Sequence, residues 1–184
     1  MPGPIATTPG RGSALDEEAL IVRLADGAYV LGPGEARVID VGGFDVTVHA
    51  DAESTDRAFS LIETAEPDVG TGPPLHIHRD CAESFYVLDG AYRMLIGGRA
   101  FQCEPGAFIH IPRGVLHTFQ ALRAGSRKLN LYTPAAMVGY FDELAVGLRT
   151  GMDEAALDEI AGRYGMEVVG VVPERYLGEA SPGD

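Results

Sequence analysis

The stretch GPPLHIHRDCAESFYVLDG, residues 72–90, carries two histidines one residue apart, then a glutamate, then an apolar run that ends at Asp-Gly. Alternate residues of a strand share a face, so His76 and His78 point the same way, about 7 Å apart. Glu83 shares its face with Phe85 and Val87. A carboxylate buried among apolar side chains is costly unless a cation or hydrogen-bond donors compensate it. The stretch is therefore a candidate metal site.

A second stretch, PGAFIHIPRGVLHTFQA at residues 105–121, supplies another candidate ligand. His117 follows a Pro-x-Gly turn and alternates with Phe119 and Ala121 along a predicted strand. Three histidines and one carboxylate form a mixed nitrogen and oxygen site that leaves coordination positions open. His110 lies on the strand before the turn, which makes it a poor fifth ligand and favours a place in the pocket wall or a structural role.

Short β segments separated by Gly and Pro run from about residue 28 to residue 132, a pattern typical of an antiparallel sandwich or barrel. Asp-Gly in LDGAY and Gly-Gly in IGGRA each predict a hairpin. Beyond Thr133 the periodicity becomes helical. Thr133 is a candidate N-cap with Pro134 at the first helical position, and Asp153 is a candidate N-cap for a helix ending near Tyr164.

Three regions are therefore expected along the chain. Residues 1–14 are rich in Pro, Gly, Thr and Ser and predict a flexible tail, while residues 14–24 could form one or two amphipathic turns. Residues 15–133 are expected to form one all-β barrel domain. Residues 134–184 are expected to form a helical extension that packs on the barrel and covers its mouth.

Composition excludes several partners. The chain has 184 residues and a formal net charge of −13, which disfavours binding to nucleic acid or anionic lipid. No stretch is apolar enough to span a bilayer, and the N-terminus lacks the apolar core of a signal peptide, so we expect a cytoplasmic protein. The two cysteines, Cys81 and Cys103, are expected to be free thiols, and packing is favoured over metal ligation for both.

The glycine and ligand spacing resembles the two paired motifs of the cupin superfamily, G-x5-H-x-H-x4-E-x6-G and G-x5-P-x-G-x2-H. The matching residues are Gly70, His76, His78, Glu83, Gly90, Gly106, Pro112, Gly114 and His117. The second motif often ends with Asn four residues after its histidine, where this chain has Ala121. The resemblance implies a small jelly-roll barrel with His76, His78, Glu83 and His117 as the ligands of one divalent transition metal ion, for which Fe, Mn, Co, Ni, Cu and Zn are all suitable.

Within that superfamily the chain is similar to bacterial single-barrel proteins related to quercetin 2,3-dioxygenase. This resemblance implies a dioxygenase that binds a flavonol or similar enol, uses Glu83 to deprotonate it, and adds dioxygen. The expected inner wall is apolar and aromatic, and it favours a small, flat substrate with an acidic hydroxyl or ketone. The residues expected to contact this substrate are Phe85, Val87, Phe119, Phe59 and His110.

Two alternatives stay open at this point. Similar barrels include metal-dependent cyclases or isomerases of secondary metabolism, in which the metal is only a Lewis acid. The barrel could also be a non-enzymatic module that binds a small molecule. A homodimer is expected because similar barrels pair or cover their exposed strand edges.

Overall fold

The computed structural model describes residues 22–23 and 27–172. The chain divides into two compact units, Met1–Glu35 and Ala36–Asp184. The tail predicted at residues 1–14 lies outside the described residues, as does most of the segment 14–24. The exception is Val22–Arg23, which forms a short strand instead of a helical turn.

Thirteen strands and two helices form within the described residues. Their bounds in chain order are β1 Val22–Arg23, β2 Tyr29–Val30, β3 Arg37–Asp40, β4 Asp45–Ala50, β5 Ser60–Glu66, β6 Leu75–His78, β7 Ala82–Asp89, β8 Tyr92–Ile96, β9 Arg99–Cys103, β10 Phe108–Ile111, β11 His117–Ala121, β12 Ser126–Thr133, α1 Val138–Thr150, α2 Glu154–Arg163 and β13 Met166–Gly170. In the first unit, β1 pairs with β2 in antiparallel fashion.

The second unit contains two antiparallel sheets. One has the strand order β10-β7-β12-β5-β4-β3, and the other has the order β13-β6-β11-β8-β9. Alternating burial shows which face of each strand is internal; in β5, for example, Ile62, Thr64 and Glu66 are buried. The architecture is the predicted all-β barrel with a C-terminal helical extension.

The two predicted hairpins have different outcomes. At IGGRA, Ile96 pairs with Arg99 and the hairpin joins β8 to β9, as expected. At LDGAY the prediction of a hairpin is wrong, because β7 and β8 belong to different sheets. Gly90 has φ +74° there, and Ser126 accepts a hydrogen bond from the backbone N–H of Ala91. The Asp-Gly turn therefore carries the chain from one sheet to the other.

The first helix begins later than predicted. Thr133 is the last residue of β12, where it pairs with Ala82, so it cannot cap a helix. The N-cap of α1 is Met137, in the left-handed region and without a side-chain cap. Ser60 holds the intervening segment by donating its hydroxyl to the carbonyl of Ala136. The start of α1 is thus set by a contact with β5.

The second helix begins as predicted, because the Asp153 side chain accepts a hydrogen bond from the backbone N–H of Ala156. The extension then continues into β13, which the sequence pattern did not predict. In β13, Met166 pairs with His78 and Val168 with His76, so the extension adds an edge strand to the sheet that holds these histidines. No helix in the described ranges is long and apolar enough to cross a membrane.

Candidate metal centre

The four candidate ligands come from both sheets. His76 and His78 alternate on β6, and His117 is the cross-strand partner of His76 on the neighbouring β11. Glu83 lies on β7, in the facing sheet, where it pairs with Tyr132 of β12. The H-x-H alternation therefore directs two imidazoles into the barrel, and only the packing of one sheet on the other brings the carboxylate to them.

The side chains converge closely. One nitrogen or oxygen from each of His76, His78, Glu83 and His117 lies within 4.8 Å of the others, and all four residues are buried. Glu83 Oε2 is 3.1 Å from His78 Nε2 and 2.9 Å from His117 Nε2. The ring centroids of His76 and His117 are 4.3 Å apart. The cluster predicted from the two motifs is present in the folded chain.

Backbone carbonyls orient two of the imidazoles. His76 Nδ1–H donates to the carbonyl of Pro74 at 2.8 Å, and His117 Nδ1–H donates to that of Val115 at 2.8 Å. A neutral imidazole carries one N–H, so in both rings Nε2 then presents a lone pair. In His117 this lone pair faces an oxygen of Glu83, which is favourable when a cation lies between them.

Burial and neighbouring groups shift the pKa values of His76 and Glu83 in the directions that favour metal binding. Burial, with a further contribution from the nearby His117, lowers the pKa of His76 to about 3, so its imidazole is neutral at neutral pH. Burial acts to raise the pKa of Glu83, but the neighbouring His117 and His78 outweigh it and hold that pKa well below its usual range. The cluster thus offers neutral nitrogen and anionic oxygen.

The donor set fits one divalent transition metal ion. Imidazole nitrogen and carboxylate oxygen are common ligands of such ions, and the carbonyl contacts of His76 and His117 are the usual means of orienting ligating histidines. His78 Nδ1 is buried without a hydrogen-bond partner. A ring held with one nitrogen unpaired and the other directed at Glu83 is compatible with ligation through Nε2.

A cavity of about 520 Å³ opens beside this cluster. His76, His78 and Glu83 form part of its wall. Apolar side chains of the extension line part of it, which are Met137, Tyr140, Phe141, Leu144 and Leu148 of the α1 region and Leu157 and Ala161 of α2. The volume lies in the range of pockets for small organic ligands.

The predicted substrate contacts have different positions in the structure. Phe119 lines the cavity. Phe85 and Val87 are buried on the same face as Glu83, as the alternation predicted, but they pack in the core behind the cavity, where the Phe85 ring meets that of Phe119 at 5.7 Å. These two residues therefore support the wall and are not among the described residues that line it.

Phe59 and His110 lie outside the cavity lining, which corrects their expected place in the wall. Phe59 is 36% exposed and precedes β5, whose inward residues begin at Ser60. His110 is exposed on the edge strand β10, where Nδ1 lies 2.9 Å from the Ser84 hydroxyl. For His110, the alternation of β10 places the side chain on the outer face.

Four residues of the interior were missed by sequence reasoning. Thr64, Glu66, Asn130 and Tyr132 all line the cavity, and Tyr132 lies beside Glu83, whose charge together with burial raises the pKa of the tyrosine hydroxyl. The sequence signal was the alternation Lys128, Asn130, Tyr132 in β12. The other face of that strand carries Leu129 and Leu131, so the apolar pattern alone does not indicate that the polar face is the internal one.

The cysteines are free and buried. Cys81 is 2% exposed, and burial raises the pKa of its thiol to about 12, which does not favour the thiolate that binds metal. It is not part of the ligand cluster found among the described residues. Cys103 packs with Phe85 and Tyr92. Both placements agree with a packing role.

Part of the sequence is similar to a known domain family and to a known enzyme. The model of the cupin domain family matches residues 64–126. Quercetin 2,3-dioxygenase of Bacillus subtilis is 28% identical over 128 residues, which is 68% of this chain and 38% of that protein. The matched region therefore spans well under half of the length of this relative.

Two solved structures share the fold. KdgF from Halomonas sp. aligns with TM-score 0.50 and 22% identity, over 55% of this chain and 89% of that one. An RmlC-like cupin from Shewanella frigidimarina aligns with TM-score 0.50 and 18% identity, over 56% of this chain and 88% of that one.

The two sheets and the buried cluster define a small β-barrel protein with a candidate internal metal site. Over residues 64–126 the chain is similar to the cupin domain family, and it shares its fold with these two solved structures.

Proposed function

We propose that this protein is a metal-dependent dioxygenase that acts on a flavonol-like or other aromatic enol substrate. The observation that carries the proposal is that His76, His78 and Glu83 lie on the wall of a mostly apolar cavity of about 520 Å³. The similarity to a quercetin 2,3-dioxygenase supports the same class of reaction.

The imidazoles of His76, His78 and His117 and the carboxylate of Glu83 would hold the ion. A divalent transition metal bound by these residues would supply Lewis acidity towards an enol oxygen of the substrate. One carboxylate would neutralise only one of the two positive charges of a divalent ion. The remaining positive charge would favour a second anionic oxygen from the substrate. Glu83 is the carboxylate of the cluster, and we assign it the role of accepting the proton of the enol hydroxyl.

The rest of the cavity positions a flat molecule and excludes water. Phe119 of the barrel and Tyr140, Phe141 and Leu144 of α1 all line this cavity. Removing water strengthens the electrostatic interactions of the buried ligands with the substrate and limits side reactions of an activated enolate.

The proposal is tested with protein loaded separately with Fe, Mn, Co and Ni. Adding a flavonol without oxygen is expected to shift its absorbance to the red as the enol ionises, and admitting air is expected to consume oxygen and bleach the complex. His117→Ala, which removes a ligand, is expected to abolish both signals. The proposal fails if flavonols and related enols neither bind nor react with any of the four metals.

Other outcomes identify the alternatives. Turnover of a polyketide-like substrate in the absence of oxygen would assign the site to Lewis-acid cyclisation or isomerisation. Tight binding without turnover would assign it to a small-molecule-binding module. The homodimeric state, the cytoplasmic location and the division of the chain at residues 133/134 stay predictions from the sequence.

A further inference from the structure

Outside the candidate metal centre, one buried side-chain atom of the described cavity wall has no hydrogen-bond partner. Among the described residues, two buried side-chain atoms lack a hydrogen bond, His78 Nδ1 and Asn130 Oδ1. The first belongs to the candidate metal centre. Asn130 lies in the middle of β12, is 3% exposed and lines the cavity. An unpaired buried carbonyl destabilises the ligand-free protein, so a ligand that supplies the missing hydrogen bond gains affinity.

The polar side chains near Asn130 are already engaged with one another. Lys128 Nζ donates to Thr64 Oγ1 at 2.7 Å and to Glu66 Oε1 at 2.5 Å. Thr64 donates to Glu66 at 2.9 Å, and the Tyr92 hydroxyl donates to the second carboxylate oxygen of Glu66. This network therefore leaves the Asn130 carboxamide available to a molecule in the cavity.

Strand register sets the spacing between Asn130 and the metal centre. On β12, Tyr132 pairs with Glu83 of β7, and Asn130 pairs with Phe85. Two residues along an antiparallel strand span about 7 Å. Along the strand direction, the Asn130 carboxamide is therefore separated from Glu83 by roughly the length of two fused rings. A substrate whose enol oxygen is at the metal centre can therefore place a second polar group at Asn130.

We propose that Asn130 is a specificity residue that binds a hydroxyl group of the substrate, remote from the oxygen at the metal centre. A hydroxyl both donates and accepts, so it can satisfy either end of a carboxamide. This inference rests on the proposed function and narrows its substrate class to polyhydroxylated aromatic enols. Phe119, which also lines the cavity, packs over Lys128 with its ring centroid 3.8 Å from Nζ.

The test compares two probes that share the same metal-binding group. Quercetin and 3-hydroxyflavone both carry the 3-hydroxyl and 4-keto pair, and only quercetin has further hydroxyls. Anaerobic absorbance titration of metal-loaded wild type is expected to show about tenfold tighter binding of quercetin, the size of one well-formed hydrogen bond. In Asn130→Leu, which has a similar shape, the preference is expected to fall below about twofold, with the affinity for 3-hydroxyflavone unchanged.

Thermal unfolding separates a binding role from a structural one. Asn130→Leu removes an unsatisfied group and is expected to keep or raise the Tm. The matched control is Ser126→Ala on the same strand, whose buried hydroxyl is fully paired with Arg123 and Ala91; it is expected to lower the Tm and keep the preference for quercetin.

Three results overturn the inference. A Tm loss in Asn130→Leu would assign the residue to structure. Equal affinity of the wild type for the two flavonols, with turnover of both, would exclude a hydroxyl subsite while leaving the dioxygenase proposal intact. Binding of neither flavonol would remove the proposed function and the inference with it.

Discussion

At the scale of single residues, the least expected feature is a lysine with no solvent contact inside the barrel. Lys128 is fully buried, forms an ion pair with Glu66 at 2.5 Å and lies over the Phe119 ring. Burial lowers the pKa of its amine, and the neighbouring Glu66 carboxylate acts in the opposite direction. The loss of either partner of such a buried ion pair lowers the stability of the fold, because the remaining charge is neither paired nor solvated.

Lys128→Met is therefore expected to reduce the free energy of unfolding by about 3–5 kcal/mol, since Glu66 would be left as an unpaired buried charge. Urea denaturation measures the change. The matched control is Arg127→Met on the same strand, whose partner Glu63 is at 2.7 Å on the surface, and the expected loss there is below about 1 kcal/mol. The double change Lys128→Met with Glu66→Gln should recover part of the stability. Equal losses for Lys128→Met and Arg127→Met would contradict this interpretation.

At the scale of elements, α1 has two roles on different faces. Val138 and Ala145 are buried in the core formed with β3 and β4 residues such as Val46. The ion pair of Arg37 with Asp142, at 2.7 Å, links the helix to β3. Leu144, which also packs against this core, and Leu148 line the cavity. Deleting the whole extension would remove core residues and β13, so point substitutions on the cavity face are the better test of a covering role.

The double substitution Leu144→Ala and Leu148→Ala is expected to weaken flavonol binding by about tenfold, because each truncation removes apolar contact worth roughly 1 kcal/mol in a pocket. Metal content should be unchanged. Val146→Ala on the same helix is the control, since Val146 is exposed and is not among the cavity-lining residues described. Affinity is measured by anaerobic absorbance titration and metal content by elemental analysis. Unchanged affinity in the double variant would argue against a covering role for α1.

At the scale of the whole molecule, the candidate metal centre joins the two sheets of the barrel. The three histidines belong to β6 and β11 of one sheet, and Glu83 belongs to β7 of the other. A bound ion would therefore link both halves of the core. Any ligand that binds the native state alone stabilises it, by about 2.7 kcal/mol at a free concentration of 100 times its Kd.

Removal of the metal with a chelator is accordingly expected to lower the Tm by about 5–10 °C, and addition of metal should restore it. Differential scanning calorimetry measures the shift. His117→Ala should unfold at the same temperature with and without metal. His110→Ala, which changes an exposed histidine outside the cluster, should keep the full shift. A wild-type Tm that is insensitive to metal would show that the four residues do not bind an ion tightly.

Much of the candidate site could be predicted because each of its motifs lies within a few consecutive residues of the chain. The alternation of His76 and His78 and the Pro-x-Gly turn before His117 depend on backbone geometry within a few residues. The Asp153 cap of α2 is equally local, and its hydrogen bond spans three residues. The ligand set and the β-rich class with a helical end follow from such short-range rules.

Other features depended on contacts between distant parts of the chain. Alternation in β12 allows either face to turn inward, and composition favours Leu129 and Leu131; the structure instead buries Lys128, whose partner Glu66 is 62 residues away. The turn at Gly90 changes sheets, where a hairpin had been predicted, because β7 and β8 find partners elsewhere in the chain. The start of α1 is set by Ser60, 76 residues before Ala136.

From the sequence alone, the four candidate ligands and the class of fold could be predicted, because φ/ψ preferences and strand alternation act within short segments. Only the tertiary structure decided which face of β12 lines the interior, where Glu83 meets the histidines, and how the extension covers the cavity. Those outcomes depend on the packing of one sheet against the other and on hydrogen bonds between residues far apart in the chain, which no local pattern encodes.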